Sequence, residues 1–159
     1  MLRDAIFSAA QSAALGPTKE GRFLLPGTDR RPADVLIPYW VGGRDAALDV
    51  TVINPLQTAT LAGAASNPGS ALSVAYARKM TSAGEQCQRQ GLAFIPMAAE
   101  SLGAWHEVAV GEVKKLGTAL ARNTGQEESE AISQLFQKIS IILMKGNSNL
   151  FVNRMDESY

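Results

Sequence analysis

The chain has 159 residues, of which 46% are hydrophobic and 19% charged, as expected for one globular domain with a buried core. Its formal net charge is zero, so overall charge gives no support to a non-specific nucleic-acid binder, which usually carries a basic excess. One cysteine and one histidine exclude an intramolecular disulfide and a self-contained zinc finger. No apolar run approaches the roughly 20 residues of a membrane span.

The first third of the chain predicts one helix followed by short strands. Apolar and alanine residues at helical spacing predict a helix over 2–15. The segment "RFLLPG" (22–27) predicts a short strand that its Pro-Gly pair ends. A hairpin follows, with predicted strands over Ala33–Ile37 and Ala46–Ile53.

The rest of the chain predicts helices around one further strand. Its predicted elements are a helix over 56–64, a longer helix over 70–89, a buried strand over 92–98, a helix over 106–122 and an amphipathic helix over 126–144. The capping-box pattern Thr124–Glu127 is predicted to start the last helix, and Gly146 to end it. "LFVN" (150–153) is a last short strand or an ordered tail.

This order of elements favours one α/β domain over 1–159. The expected architecture is a small mixed four-stranded sheet flanked by helices, with two further helices at the C-terminal end. Because a parallel neighbour requires a long crossover, the strand over 92–98 is expected to return beside the hairpin after the long helix.

Two aspartates stand in the hairpin, where aspartate is uncommon and costly to bury unpaired. If "WVGG" (40–43) is a four-residue loop, Asp34 lies opposite Asp49 and their Cβ atoms are about 5 Å apart. If Val41 pairs with Ala46 instead, the carboxylates share a face but lie about 13 Å apart, too far for one cation. The sequence leaves both registers open.

Opposed carboxylates predict a cation between them, because two such charges repel unless a proton or metal intervenes. Oxygen ligands suit Mg²⁺ (or Mn²⁺), which can position water for attack on a phosphodiester. Arg78 and Lys79, the first charges after the uncharged stretch 51–77, are the best protein cations to complete such a site. The alternative is structural, with Asp34 as a turn residue and Asp49 paired to an arginine of "DRR" (29–31).

Four segments resemble a known nuclease domain: "RPADVLIPYW", "LDVTVINPL", "YARKM" and "LAFIPMAAESLGAW". They are similar to the restriction-like endonuclease domain of site-specific non-LTR retrotransposons, which has the PD-(D/E)XK nuclease fold. The resemblance runs from about Leu2 to Arg154 and implies an αβββαβ core. In that family the domain follows a reverse transcriptase, so the chain resembles an isolated or truncated copy.

The resemblance also implies roles for individual residues. Asp34 in "RPAD" and Asp49 in "LDVTV" correspond to metal ligands, and the backbone carbonyl of Val50 corresponds to a third. Lys79, or its neighbour Arg78, corresponds to the catalytic lysine.

This chain departs from the family pattern in two places. Asp34 follows Pro-Ala rather than proline directly, and Thr51 stands where the common motif has its lysine. Glu20 corresponds to an extra acidic residue that some members carry before the sheet. Glu100, in "ESLGAW", has no role assigned to it.

The resemblance implies an intracellular Mg²⁺-dependent endonuclease that acts on DNA, nuclear if its substrate is genomic. The alternatives are an inactive relic that binds DNA or a protein, and an interaction module built on the helix over 126–144. The sequence also leaves open whether the protein forms a homo-oligomer. The expected phosphate-binding residues are Arg30, Arg31, Arg44, Arg78 and Arg89.

Four other residues, two tryptophans, a histidine and a cysteine, are of types that often have functional roles, but a structural role is expected for them. Trp40 and Trp105 could stack on bases, although Trp40 in a hairpin turn more simply covers the end of the sheet. His106 is expected to be part of the surface at the start of a helix, and Cys87 to be a small buried hydrophobe.

Overall fold

The computed structural model describes residues 1–19 and 33–156, with side chains to Ser148. The predicted strand over 22–27 lies outside the described residues, as do Glu20, Arg30 and Arg31. In chain order, the described elements are α1 (Leu2–Ser12), β1 (Thr18–Lys19), β2 (Val35–Val41), β3 (Arg44–Ile53), α2 (Thr58–Ser66), α3 (Ser70–Lys79), a π-helical turn (Met80–Gly84), α4 (Glu85–Arg89), β4 (Ala93–Glu100), α5 (Glu107–Thr124) and α6 (Glu128–Asp156).

The described strands form one mixed sheet in the order β1-β2-β3-β4. The first three are antiparallel, whereas β4 runs parallel to β3 from Ala46↔Ala93 to Ile53↔Glu100. The mixed four-stranded α/β fold and the helical crossover between β3 and β4 are therefore confirmed. The strand β1 lies at Thr18–Lys19, where the sequence predicts no strand, because its pairing with β2 is a tertiary contact.

The two faces of the sheet are covered differently. One face packs against α1, α5 and α6 and forms the main core, which includes Ile6, Leu48 and Ile139. The other face faces the segment from α3 to α4 and contributes to a smaller cluster around Cys87 and Leu92. The predicted burial of Cys87 is confirmed, since its side chain is fully buried. Asp49 belongs to this second face, because it alternates with Leu48 along β3.

The hairpin turn differs from the four-residue loop that one of the two open registers assumes. Val41 pairs with Arg44 across a two-residue turn, and Gly42 and Gly43 both have positive φ, as a type I′ turn requires. The register then shifts by two residues before Ile37↔Ala46. Three residues, 38–40, lie opposite Asp45, whose Oδ1 accepts from the Tyr39 N–H at 3.1 Å. This bulge restores the register in which Val35 pairs with Leu48, so the alternative pairing of Val41 with Ala46 is wrong.

Two other boundaries are corrected by the structure. The stretch over 70–89 is helical but contains the π-helical turn, which no periodicity argument detects. Gly146 does not end α6, and "LFVN" (150–153) is helical, since one glycine costs a helix interior only about 1 kcal/mol.

The predicted capping box is also wrong. Thr124 belongs to α5, where its hydroxyl donates to the carbonyl of Leu120. The cap of α6 is Glu127, whose Oε2 accepts from the N–H of Glu130 at 2.9 Å. A glutamate side chain thus takes the role that the pattern assigned to threonine, and α6 begins two residues later than predicted.

Gly117 allows α5 and α6 to pack closely. A Cβ at this position would lie 2.7 Å from Ile132 Cγ1 and 2.9 Å from Ile132 Cα, so the backbone of α6 would have to move. We expect Gly117→Ala to lower the free energy of unfolding by about 1–3 kcal/mol. Gly111→Ala is the matched control on the same helix, because its Cβ would meet no atom within 4 Å. Helix propensity should make the control about 0.5–1 kcal/mol more stable. Urea denaturation of both variants tests this, and equal stabilisation of the two would refute the close approach.

Candidate active site

The centre of the site is the carboxylate of Asp49, on the sheet face that looks toward α3. Its Oδ2 lies 2.9 Å from Lys79 Nζ and accepts a hydrogen bond from Thr51 Oγ1 at 3.3 Å. The Asp49 side chain is 15% exposed and that of Lys79 33% exposed, so the ion pair is partly shielded from water. Thus the helix lysine and the strand aspartate that the sequence places 30 residues apart are in direct contact.

The crossover from β3 to β4 explains this contact. Asp49 pairs with Pro96 in the parallel ladder, and α3 packs over both strands. Lys79 is the last residue of α3, directly before the π-helical turn that begins at Met80. Such turns change the direction of a helix locally and are frequent at functional sites. The lysine therefore projects from a point where the helix geometry changes.

Asp34 is held at the edge of β3, next to Asp49 in the hairpin register. Its N–H donates to the Leu48 carbonyl at 2.9 Å, and its Oδ2 accepts from the Val50 N–H at 2.8 Å. Asp34 therefore bonds to the residues on both sides of Asp49. The N–H and C=O of one strand residue point to the same edge, so the Val50 carbonyl also faces the Asp34 edge.

Burial raises the pKa of the Asp34 carboxyl above its ordinary value of 3.8. The hydrogen bond from Val50 opposes this increase in pKa, while the negative charge of Asp49 adds to it. The positive charges of Arg3 and Lys79 lower the pKa of Asp34 in turn. Asp34, Asp49 and Lys79 thus belong to one electrostatic cluster.

Asp34 also borders a cavity of about 630 Å³ between α1, β3 and α6. Arg3, Val50 and Leu143 also line this cavity. The volume falls within the range typical of ligand-binding pockets. Asp34 therefore stands between this cavity and the sheet face that carries Asp49.

The oxygen atoms of the site fit a hard divalent cation. Asp34 Oδ2 and Asp49 Oδ2 already accept hydrogen bonds, and each carboxylate has a second oxygen, Oδ1, that could bind a cation. Mg²⁺ in proteins is typically held by one or two carboxylates and keeps several waters, so two carboxylates are the kind of ligand set that it uses. The described residues include no cluster of three or more His, Cys, Asp and Glu side chains that could hold a metal ion, so the candidate ligands are Asp34 and Asp49 as a pair.

The structure describes three of the five expected phosphate-binding arginines, and these three lie on three different elements. Arg44 begins β3, five residues or about 17 Å from Asp49. Arg78 is next to Lys79 on α3 and is exposed, whereas Arg89 lies 3.6 Å from Glu85 on α4. Glu100 is buried at the end of β4, opposite Ile53.

The aromatic and histidine residues have structural partners. Trp40 Nε1 donates to Glu112 Oε2 at 2.6 Å, which ties the hairpin to α5. Trp105 is partly buried against the main core and forms an isolated bridge with Ala99. His106 caps α5, accepting from the Val108 N–H, and its ring stacks on Tyr76 at 4.3 Å between centroids.

Thr51 shares the face of Asp49, because residues two apart on a strand do, and its hydroxyl donates to the Asp49 carboxylate. Sequence reasoning missed one polar residue here. Glu112, a buried partner of Trp40 and Lys115, could be found only from the tertiary structure.

No family model, curated protein or solved structure matches the chain. Among the residues that the structure describes, no helix has the length and apolar character needed to cross a membrane.

The raised pKa of Asp34 predicts a pH-dependent stability. The folded protein binds the Asp34 proton more tightly than the unfolded chain, so this residue's stabilising contribution falls as pH rises from 3.8 through the folded-state pKa. In metal-free buffer at neutral pH, we therefore expect Asp34→Asn to have a higher melting temperature than the wild type. The difference should disappear well below pH 3.8. Thermal melts across pH test this, and a neutral-pH loss of stability in Asp34→Asn would contradict it.

Proposed function

We propose that the protein is a metal-dependent endonuclease that hydrolyses phosphodiester bonds in DNA. The observation that carries the proposal is the contact of Lys79 with Asp49, beside Asp34, at the edge of β3. Two carboxylates can hold a divalent cation, and an ammonium group beside them can stabilise a phosphorane-like charge. The resemblance of "RPAD", "LDVTV" and "YARKM" to retrotransposon endonuclease segments supports the same assignment.

Each residue has a distinct role in this proposal. Asp34 and Asp49 would hold Mg²⁺ through their Oδ1 atoms, together with the carbonyl of Val50. The bound ion would supply Lewis-acid stabilisation and a water of lowered pKa. Lys79 carries a compact positive charge on a flexible stem, which suits it to neutralise charge on the scissile phosphate.

DNA is the proposed partner, and a local cationic surface would hold it. Arg78, exposed beside Lys79 on α3, is proposed to contact a phosphate next to the scissile one. Arg44 remains a proposed contact farther along the duplex, and Arg30 and Arg31 remain proposed phosphate contacts. Because the net charge is zero, we expect only a few phosphate contacts and a shallow dependence of affinity on salt.

Nicking of supercoiled plasmid in Mg²⁺ tests the proposal. We expect the wild type to nick the plasmid, EDTA to stop nicking, and Asp49→Asn to lose activity while remaining folded. Asp45→Asn is the matched control, because Asp45 is also a hairpin aspartate. Its Oδ1 accepts from the Tyr39 N–H, and the side-chain oxygen of asparagine can accept the same hydrogen bond. Equal activity of Asp49→Asn and the wild type, or nicking that persists in EDTA, would refute the proposal.

A non-catalytic DNA- or protein-binding module is the second candidate. It is favoured by the ion pair itself, because Lys79 already supplies Asp49 with a counterion and the carboxylate needs no metal to be stable. Under this alternative, the wild type would retain DNA or a protein partner without nicking, and Lys79→Met would lower stability without any change in cleavage. The plasmid experiment separates the two candidates.

A further inference from the structure

We propose that Thr51 is a positioning residue that keeps the Asp49 carboxylate oriented when Lys79 leaves it for a substrate phosphate. The proposal rests on the proposed nuclease function and assigns a part in it to the residue that replaces the common lysine. Its basis is the pair of donors on one oxygen, since Asp49 Oδ2 accepts from both Thr51 Oγ1 and Lys79 Nζ.

The two donors differ in rigidity. Thr51 lies in β3, where it and the residues on either side of it pair with β4. Its side chain is β-branched and therefore has few accessible rotamers. Lys79 reaches Asp49 through a flexible four-carbon stem that is 33% exposed. The lysine can therefore move toward a phosphate, whereas the threonine hydroxyl stays beside Asp49.

The geometry fits such an exchange. The Thr51–Asp49 distance of 3.3 Å is longer than the usual 2.5–3.0 Å of a hydroxyl–oxygen hydrogen bond, whereas the Lys79 contact is close. With Lys79 withdrawn, Thr51 becomes the principal donor to Oδ2 and their bond can shorten. The carboxylate then keeps Oδ1 turned toward a cation, instead of rotating about its side-chain bonds.

Calorimetric titration of the full chain with Mn²⁺ tests this role through metal affinity. Thr51→Val has nearly the shape of threonine but lacks the hydroxyl, and we expect it to bind Mn²⁺ about tenfold more weakly, as is typical for loss of an outer-shell partner. Thr51→Ser retains the hydroxyl and should bind within about threefold of the wild type. Raising Mn²⁺ should restore the nicking rate of Thr51→Val, because a positioning defect acts on affinity.

A double-mutant cycle provides a readout that needs no metal. In metal-free buffer, Thr51→Val should lower the melting temperature of the wild type more than that of Asp49→Ala, where the acceptor is absent. Equal losses in both backgrounds would overturn the proposal, as would wild-type Mn²⁺ affinity in Thr51→Val. In the latter case nicking by the wild type still supports the nuclease. A wild type that neither binds Mn²⁺ nor nicks DNA overturns both the nuclease function and the role of Thr51 in it.

Discussion

Replacing Lys79 by methionine is expected to slow Mg²⁺-dependent nicking about 10²- to 10³-fold, the usual cost of losing one preorganised charge-stabilising donor. Lys79 Nζ is 2.9 Å from Asp49 Oδ2, and Arg78, the other cation beside it, is exposed on α3. Methionine preserves much of the apolar stem and its packing while removing the charge. The effect should therefore be on the reaction and leave the fold intact.

Initial nicking rates at saturating Mg²⁺ measure this effect, with Lys114→Met on α5 as the control. Lys114 is an exposed lysine outside the site, so its replacement should leave the rate unchanged. Lys79→Met should also bind Mn²⁺ at least as tightly as the wild type, because a competing positive charge is gone. If Lys79→Met nicks DNA within threefold of the wild-type rate, Lys79 has no catalytic role.

Replacing Ile139 by alanine is expected to lower the free energy of unfolding by about 2–5 kcal/mol. Ile139 on α6 is fully buried in the main core that also contains Val35 and Leu48, the residues that fix the hairpin register. The substitution removes three buried carbon atoms and leaves a cavity that the surrounding helices can fill only in part. This side chain thus supports the sheet that positions the site.

Ile141→Ala is the matched control for this prediction. Ile141 is two residues farther along the same helix and is 52% exposed, so its replacement should change stability by no more than about 0.5 kcal/mol. Urea denaturation of both variants provides the comparison, with similar m-values required for a valid one. Equal losses of stability in the two variants would contradict this assignment of the buried face of α6. A smaller loss in Ile139→Ala than in Ile141→Ala would favour the alternative in which α6 is an interaction helix.

The buried faces of the helices and strands were predicted from the sequence more reliably than the residues at which these elements begin and end. Alternation along β3 places Leu48 in the main core and Asp49 on the opposite face, because a strand has a period of two. The helix predicted as amphipathic over 126–144 likewise buries residues at helical spacing, namely Leu135, Ile139 and Leu143. Both patterns depend on burial, which the whole fold reinforces.

The hairpin shows where such reasoning stops. Gly42–Gly43 is a two-residue turn signal, but extending its register without interruption would pair Asp34 with Thr51. The bulge at 38–40 removes that offset, and it depends on a left-handed Tyr39 whose N–H finds the Asp45 carboxylate. Positive φ is rare for a bulky residue, so the sequence gives no reason to expect it at Tyr39.

The lysine of the site was predicted as a candidate but could not be placed. Its contact with Asp49 depends on where α3 crosses the sheet and where the π-helical turn begins, and both follow from packing. The end of α6 was missed for a related reason. Gly146 is a common stop signal, but a helix stops there only if the glycine adopts a left-handed conformation.

Anomalous diffraction from crystals soaked in Mn²⁺ tests the central claim most directly, because it locates the ion without reference to activity. We predict one strong peak within bonding distance of a carboxylate oxygen from Asp34 and one from Asp49, with the Val50 carbonyl facing it. Lys79 Nζ should then lie farther from Asp49 Oδ2 than the present 2.9 Å. No peak between the two aspartates at Mn²⁺ concentrations that support nicking would contradict the proposed site.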